Sequence, residues 1–334
     1  MKKYQIIWAS KDKQSKEIIG NAASKAPKDV TIIASNCGYC NKYALIPQTT
    51  YKLFNILGRI YSLIKVLRSC EKNSKVLLQY PCFNEKLFQY IVQFIPKRKY
   101  VTIIHDMNSI RETGTISKAE IKSLSIFDEI IVHSPEMKDY LMHYLPTNTT
   151  YHILECFPYL TNSICQKPPL SNEICFAGNI DKSPFLKDFI PQLKDIKLKL
   201  YGRMEQTLPK SDYVSYCGMF NPDHISTLKG SWGLVWDGTS ISSCSGTWGK
   251  YLEIIAPHKF SLYIASGIPV IVWEKSAMAR LVNQYGIGLT ISSLYELEEK
   301  IKSVSTSQYK SMLTSINILQ NNLRKGNNLI NIIQ

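Results

Sequence analysis

Apolar and polar positions alternate along this chain in two rhythms. Short runs rich in Val and Ile, the mark of strands covered on both faces, come between longer stretches whose apolar residues recur at helical spacing. In the first half the pattern predicts strands at 4–9, 30–34, 75–79, 100–104 and 129–133, with helices at 14–25, 52–69, 86–94, 117–127 and 136–144. The rhythm lapses at 160–172 into Pro, Ser, Thr and Asn, including Pro168-Pro169, which reads as a linker. It then resumes with strands at 173–177, 197–201, 212–216, 232–236 and 270–273 and helices at 183–190, 223–229, 259–266, 277–285, 294–304 and 308–326. Alternation of this kind predicts an α/β fold of two doubly wound, Rossmann-like parallel sheets. The boundaries are 1–163 for a first domain and 170–316 for a second. Two such domains facing across a cleft would place ligands at the carboxyl ends of their strands.

The stretch 251–273, YLEIIAPHKFSLYIASGIPVIVW, is the most sharply punctuated. Pro257 suits a helix start, Gly267 the residue just past a helix end, and Pro269 prevents continuation. The β-branched run after it suits a buried strand. His258 and Lys259 therefore stand at a helix start, where backbone N–H groups attract anions and a lysine would strengthen a diphosphate seat. The opposing reading is a solvated lysine beside a core helix, since a cation there opposes the helix dipole.

Length and charge sharpen this picture. The 334 residues suit two domains, and 45% hydrophobic composition is enough for two cores. No apolar run reaches membrane-spanning length, and the N-terminal decapeptide reads as a first strand rather than a signal peptide. Nine scattered cysteines, with Cys37 and Cys40 spaced as C-x-x-C but no second pair, indicate structural thiols of a cytoplasmic protein. Residues 1–100 hold 18 Lys/Arg against 5 Asp/Glu, while the remaining 234 hold 22 and 21. Such a field favours an anionic partner. The lysine- and aromatic-rich segment 51–75 is either a basic amphipathic helix on the inner face of an anionic membrane or an ordinary helix with its apolar face in the core. Nucleic acid is disfavoured because the cations are spread over several elements without a recognised motif.

Residues placed just after strands are the candidates for chemistry. His105 and Asp106 follow 100–104, and either could take a proton from an acceptor hydroxyl; Asp106 could equally cap the next helix. Gly178-Asn179-Ile180-Asp181-Lys182 follows 173–177, and Lys182 could reach a phosphate oxygen. Tyr201, Tyr216 and Phe220 end adjacent strands and could stack on a nucleobase or simply pack in the core. Asp237 opens a Ser-rich loop able to wrap a sugar. No D-x-D occurs, so no metal is expected, and lysines with a helix dipole would neutralise a leaving diphosphate.

With these pieces placed, the chain resembles the GT-B-type bacterial glycosyltransferases that include β-1,6-galactofuranosyltransferases of O-antigen synthesis and the glucosyltransferase extending O-linked GlcNAc on serine-rich adhesins. The resemblance rests on Leu78-Gln-Tyr-Pro81, Ile104-His-Asp106, Phe176-Ala-Gly-Asn179, Tyr216-x-Gly218 with Asn221-Pro-Asp223, Gly233-Leu-Val-Trp236-Asp237 and Arg324-Lys-Gly326. Its clearest block is Pro257-His-Lys-Phe-Ser-Leu-Tyr263 with Ala265-x-Gly267-Ile-Pro-Val-Ile-Val272. It implies a UDP-hexose donor, galactofuranose among the candidates, and a lipid-linked or glycan acceptor such as an O-antigen or capsule precursor. It implies Lys182 and Lys259 near the diphosphate, Tyr216 or Phe220 near the uracil, and Asn179, Asp237, His258 and the helix residues Phe260, Ser261, Leu262, Tyr263 and Ile264 around the nucleotide sugar. It also implies a first-domain contact at Ser15 and Lys16, where the match is poor, a tail 317–334 crossing back to the first domain, and a possible homo-oligomer. A non-catalytic nucleotide-sugar-binding or chaperone subunit is the alternative.

Overall fold

The structure, a computed structural model, describes residues 1–10, 22–47 and 50–334. It divides into two compact units, Met1–Val132 with Met137–Leu154 and Leu329–Gln334, and His133–Glu136 with Glu155–Asn328. The change-overs thus fall at Leu154 and Asn328, where the expected boundaries were 163 and 317. Phe157 and Tyr159 account for the earlier crossing: both are buried, and both rings pack on His258 of the second unit.

In the first unit β1 (Lys3–Ser10), α1 (Ala22–Asn36), β2 (Cys40–Ile46), α2 (Lys52–Ser69), β3 (Lys75–Tyr80), α3 (Glu85–Ile91), β4 (Lys99–Ile104), α4 (Asn108–Thr113), α5 (Lys118–Leu124), β5 (Glu129–Val132), α6 (Pro135–Met142) and β6 (Thr150–Ile153) follow one another. The strands form one parallel sheet in the order β2-β1-β3-β4-β5-β6. The expected strand at 30–34 lies instead within α1. Its buried residues Ala26, Val30, Ile33 and Ala34 recur at helical spacing, and that pattern outweighs the β-branched composition. The strand that does fill this place is β2, at the sheet edge. It was hidden because Tyr43 and Leu45 face outward and Ala44 is the small residue that faces in.

The second unit contains β7 (Glu173–Ala177), α7 (Phe185–Phe189), β8 (Lys197–Tyr201), β9 (Val214–Tyr216), β10 (Trp232–Val235), α8 (Gly246–Tyr251), α9 (His258–Ser266), β11 (Val270–Trp273), α10 (Ala277–Tyr285), β12 (Gly288–Ile291), α11 (Leu297–Lys302) and α12 (Thr306–Lys325); α13 (Asn327–Ile333) ends the chain. Its sheet is parallel throughout, in the order β12-β11-β10-β7-β8-β9. Hydrophobic clusters cover both faces, one around Phe176, Trp232 and Trp236, the other around Phe260, Tyr263 and Val270. Segment 257–273 folds as its punctuation predicts: Pro257 is extended just before α9, Gly267 ends the helix at φ 74°, and β11 follows.

Candidate functional site

The second sheet changes direction between β7 and β10. The chain leaves β7 toward β8 and β9 on one side, then returns to β10 and continues to β11 and β12 on the other. Such a switch point leaves a crevice beyond the carboxyl ends of the two central strands, where open α/β sheets bind ligands.

Lys259 occupies that position. It is the second residue of α9, half-buried, and its Nζ donates to the Trp236 carbonyl just beyond β10 at 2.8 Å. The same ammonium lies 4.8 Å from the ring centroid of Phe176 in β7, so the side chain spans both central strands. Among the described residues this is its one hydrogen bond, which leaves two ammonium N–H donors for a ligand. Burial pulls its pKa below the ordinary 10.5, against the opposing pull of the Asp237 carboxylate and the Cys244 thiol. An anion arriving here meets a poorly solvated cation and the N-terminal end of the α9 dipole together.

The interior of α9 holds that lysine in place. Tyr263 Oη accepts from the Ala177 N–H at 2.8 Å and donates to the Leu234 carbonyl at 3.3 Å, tying the helix to β7 and β10 at once. Its ring lies where a side chain at position 233 would be: a Cβ on Gly233 would stand 2.3 Å from it. Phe260, Ser261, Leu262 and Ile264 are likewise buried. The side chains at 260–264 thus point into the core, and the start of the helix is the part left for a ligand. At that start the His258 ring stacks on Tyr159, with centroids 5.0 Å apart and planes at 23°, and meets Phe157 edge-on.

Lys182 and Asn179 sit on the exposed turn after β7. The Lys182 ammonium lies 5.7 Å from the ring of Trp248 in α8, a cation–π contact that keeps it on this side of the sheet. Asp181 pins the turn by accepting from the backbone N–H groups of Glu205 and Gln206 at 2.8 and 2.9 Å. Asp237 Oδ1 accepts from the Gly238 N–H at 2.8 Å and opens the Ser-rich loop. Tyr216 and Phe220 lie farther along the sheet. Tyr216 Oη donates to the Gly202 carbonyl at 2.9 Å, and Phe220 stands perpendicular to Tyr201 at 6.3 Å.

The other candidate pair lies in the first unit. His105 and Asp106 follow β4 directly. His105 Nε2 is 2.7 Å from Gln79 Oε1, and the Gln79 amide nitrogen donates to Thr31 Oγ1 at 3.0 Å and to the Pro27 carbonyl at 3.2 Å. Those two acceptors orient the amide, so its oxygen faces the imidazole and Nε2 carries the proton. In the neutral ring the basic lone pair is then on Nδ1. Asp106 is engaged differently: one oxygen is paired with Arg111 and the other accepts from the Met107 N–H at 3.0 Å. Ser15 and Lys16 lie outside the described residues.

Three contacts were not read from the sequence: Phe176 under the Lys259 ammonium and Gln79 behind His105, both noted there only as motif residues, and Trp248 under Lys182. Each acts across neighbouring strands or loops, and only the strand order reveals it. Among the described residues no group of three His, Cys, Asp or Glu side chains could hold a metal ion.

Two parallel Rossmann-like units with a cationic switch point in the second define the GT-B class of glycosyltransferase. Residues 14–151 match the N-terminal domain, and residues 174–334 the C-terminal domain, of the glucosyltransferase 3-like family. The chain belongs to that family. It is 27% identical over 324 residues to the β-1,6-galactofuranosyltransferase WbbI of Escherichia coli K12, covering 94% of each chain. It is 24% identical over 315 residues to glucosyltransferase 3 of Streptococcus gordonii, covering 90% of each. In fold it is similar to Anabaena HepE, solved with UDP and glucose, at a TM-score of 0.57 and 10% identity, with 97% of this chain and 98% of that one covered.

Proposed function

We propose that this chain transfers a hexosyl group from a UDP-hexose to a sugar hydroxyl of a lipid-linked or cell-surface glycan precursor. The observation that carries the reading is Lys259, a half-buried cation with two donors to spare, fixed over both central strands at the switch point of the second sheet. The UDP and glucose bound in the HepE structure support a nucleotide sugar as the ligand of such a fold.

In this reading the donor diphosphate sits against the start of α9, with Lys259 and Lys182 as its cations. Tyr216 and Phe220 lie toward the nucleoside, since β9 is two strands from β7, roughly 10 Å at ordinary strand spacing. The acceptor oxygen forms a bond to the anomeric carbon, the bond from that carbon to the diphosphate oxygen breaks, and the hydroxyl proton passes to a base. Lys259 and the helix dipole stabilise the charge that grows on departing UDP, and no metal is required for that role. Where the reaction inverts the anomeric carbon, His105 is the better base of the two candidates. The Gln79 oxygen beside Nε2 orients the imidazole for that role, and Asp106, paired with Arg111, is the second candidate. The relationship to WbbI favours galactofuranose as the sugar and the relationship to glucosyltransferase 3 favours glucose.

Titration calorimetry with UDP tests the reading. Wild-type protein should bind, and Lys259→Ala should weaken binding by about tenfold or more, as expected for losing a charge-assisted contact. Equal affinity in the two proteins would refute the assignment. UDP release from UDP-galactofuranose against UDP-glucose, in the presence of acceptor extracts, then decides the hexose.

A further inference from the structure

We propose that α2 and the neighbouring edge strand β2 form a docking surface for an anionic lipid bilayer. The proposal is independent of which sugar is transferred.

One side of α2 is committed to the core through Leu63 and Leu67, both fully buried. The other side is also apolar. Leu53, Phe54, Leu57 and Tyr61 are 66%, 65%, 53% and 68% exposed, and Tyr51 just before the helix is 68% exposed. Phe54, Leu57 and Tyr61 recur at helical spacing, and Lys65 and Arg68 continue the same stripe. An isolated exposed leucine needs no explanation, but a stripe of large apolar side chains does. On β2, which lies at the sheet edge and is joined to α2 by the Leu45 N–H donating to Ser62 Oγ at 2.6 Å, Tyr43 and Leu45 are exposed as well.

Charge selects the occupant. Residues 30–70 contain Lys42, Lys52, Arg59, Lys65 and Arg68 and no Asp or Glu. The Lys65 ammonium lies 6.0 Å from the Tyr61 ring, with a long stem beside apolar surface, as cations do at a headgroup boundary. A second copy of this chain would bring the same cations against one another, which disfavours association through this face. A bilayer bearing phosphate headgroups accepts both features: the apolar stripe enters the headgroup and acyl boundary, and the flanking cations stay with the phosphates. No helix among the described residues is long and apolar enough to cross a membrane, so the contact is interfacial.

Vesicle flotation of the full chain tests this. Wild-type protein should float with phosphatidylcholine vesicles containing phosphatidylglycerol, float far less with phosphatidylcholine alone, and detach as salt rises. The triple variant Phe54→Ser, Leu57→Ser, Tyr61→Ser and the quadruple variant Lys52→Gln, Arg59→Gln, Lys65→Gln, Arg68→Gln should each lose about tenfold or more in partitioning. Both alter exposed side chains, and retained UDP affinity reports that each is folded. As an independent readout, Phe54→Trp fluorescence should shift to the blue on adding the anionic vesicles. Absence of wild-type flotation, equal flotation of wild type and both variants, or a wild-type dimer that the triple variant dissociates without any vesicle binding would each overturn the proposal. A wild-type protein that floats but fails to bind UDP would instead count against the proposed reaction alone.

Discussion

The two sheets share a strand logic but differ in what they place at their switch points. In each, the first strand is interior, flanked on one side by the strand that follows it and on the other by the strand to which the chain returns: β1 between β2 and β3, β7 between β8 and β10. Beside the first switch point, the groups at the end of β3 and just after β4 are a neutral amide and an imidazole, Gln79 and His105, oriented by hydrogen bonds. At the second stand two lysines and a helix start, oriented by aromatic rings and a backbone carbonyl. The first arrangement suits proton transfer and the second suits holding an anion. Bulk charge points the other way, because residues 1–100 carry most of the excess cations. Where a cation is fixed decides what it binds; how many there are decides only the field outside.

The strongest way to break this comparison is to remove the group that defines each side. His105→Ala should cut turnover by about 10²–10⁴-fold while UDP affinity is kept. Lys259→Ala should cut turnover by about 10²–10³-fold and weaken UDP as well. Steady-state rates together with calorimetry separate the two, and UDP affinity lost in His105→Ala would merge the roles that the comparison keeps apart.

A smaller effect sharpens the positioning claim for α9. Tyr263→Phe removes the acceptor of the buried Ala177 N–H and should cost about 1–3 kcal/mol in urea unfolding, because that donor is left unsatisfied. A cost near zero would show that Tyr263 does not tie the helix to the sheet.

The pH dependence follows from the Lys259 shift. Its pKa in the folded protein lies below 10.5, so the unfolded chain holds more protons in that alkaline window and folding stability rises with pH through it. Bound diphosphate favours the ammonium, so UDP binding should take up a fraction of a proton in the same window. Calorimetry in two buffers of different ionisation heat reads this directly, and Lys259→Ala should abolish it. The smallest effect belongs to Trp248→Ala, which loses the cation–π contact with Lys182 and should weaken UDP by a few-fold, about 0.5–1 kcal/mol.

Much of this was legible in the sequence, for reasons particular residues make clear. Pro257, Gly267 and Pro269 are local signals, so α9 and β11 were read nearly to the residue. Val30 to Ala34 misled because composition and spacing disagreed there, and burial of Ala26, Val30, Ile33 and Ala34 on one helix face decided for the helix. Lys259 and His105 stood out as candidates because they open or follow recognisable elements. The contacts of Phe176, Trp248 and Gln79 were missed because each depends on which elements are neighbours, and nothing local encodes that order.

A crystal structure of the protein with UDP tests the central claim most directly. The account predicts diphosphate oxygens within hydrogen-bonding distance of Lys259 Nζ, beside the start of α9 and beyond the carboxyl ends of β7 and β10. A diphosphate bound away from Lys259, at any other edge of either sheet, would contradict it.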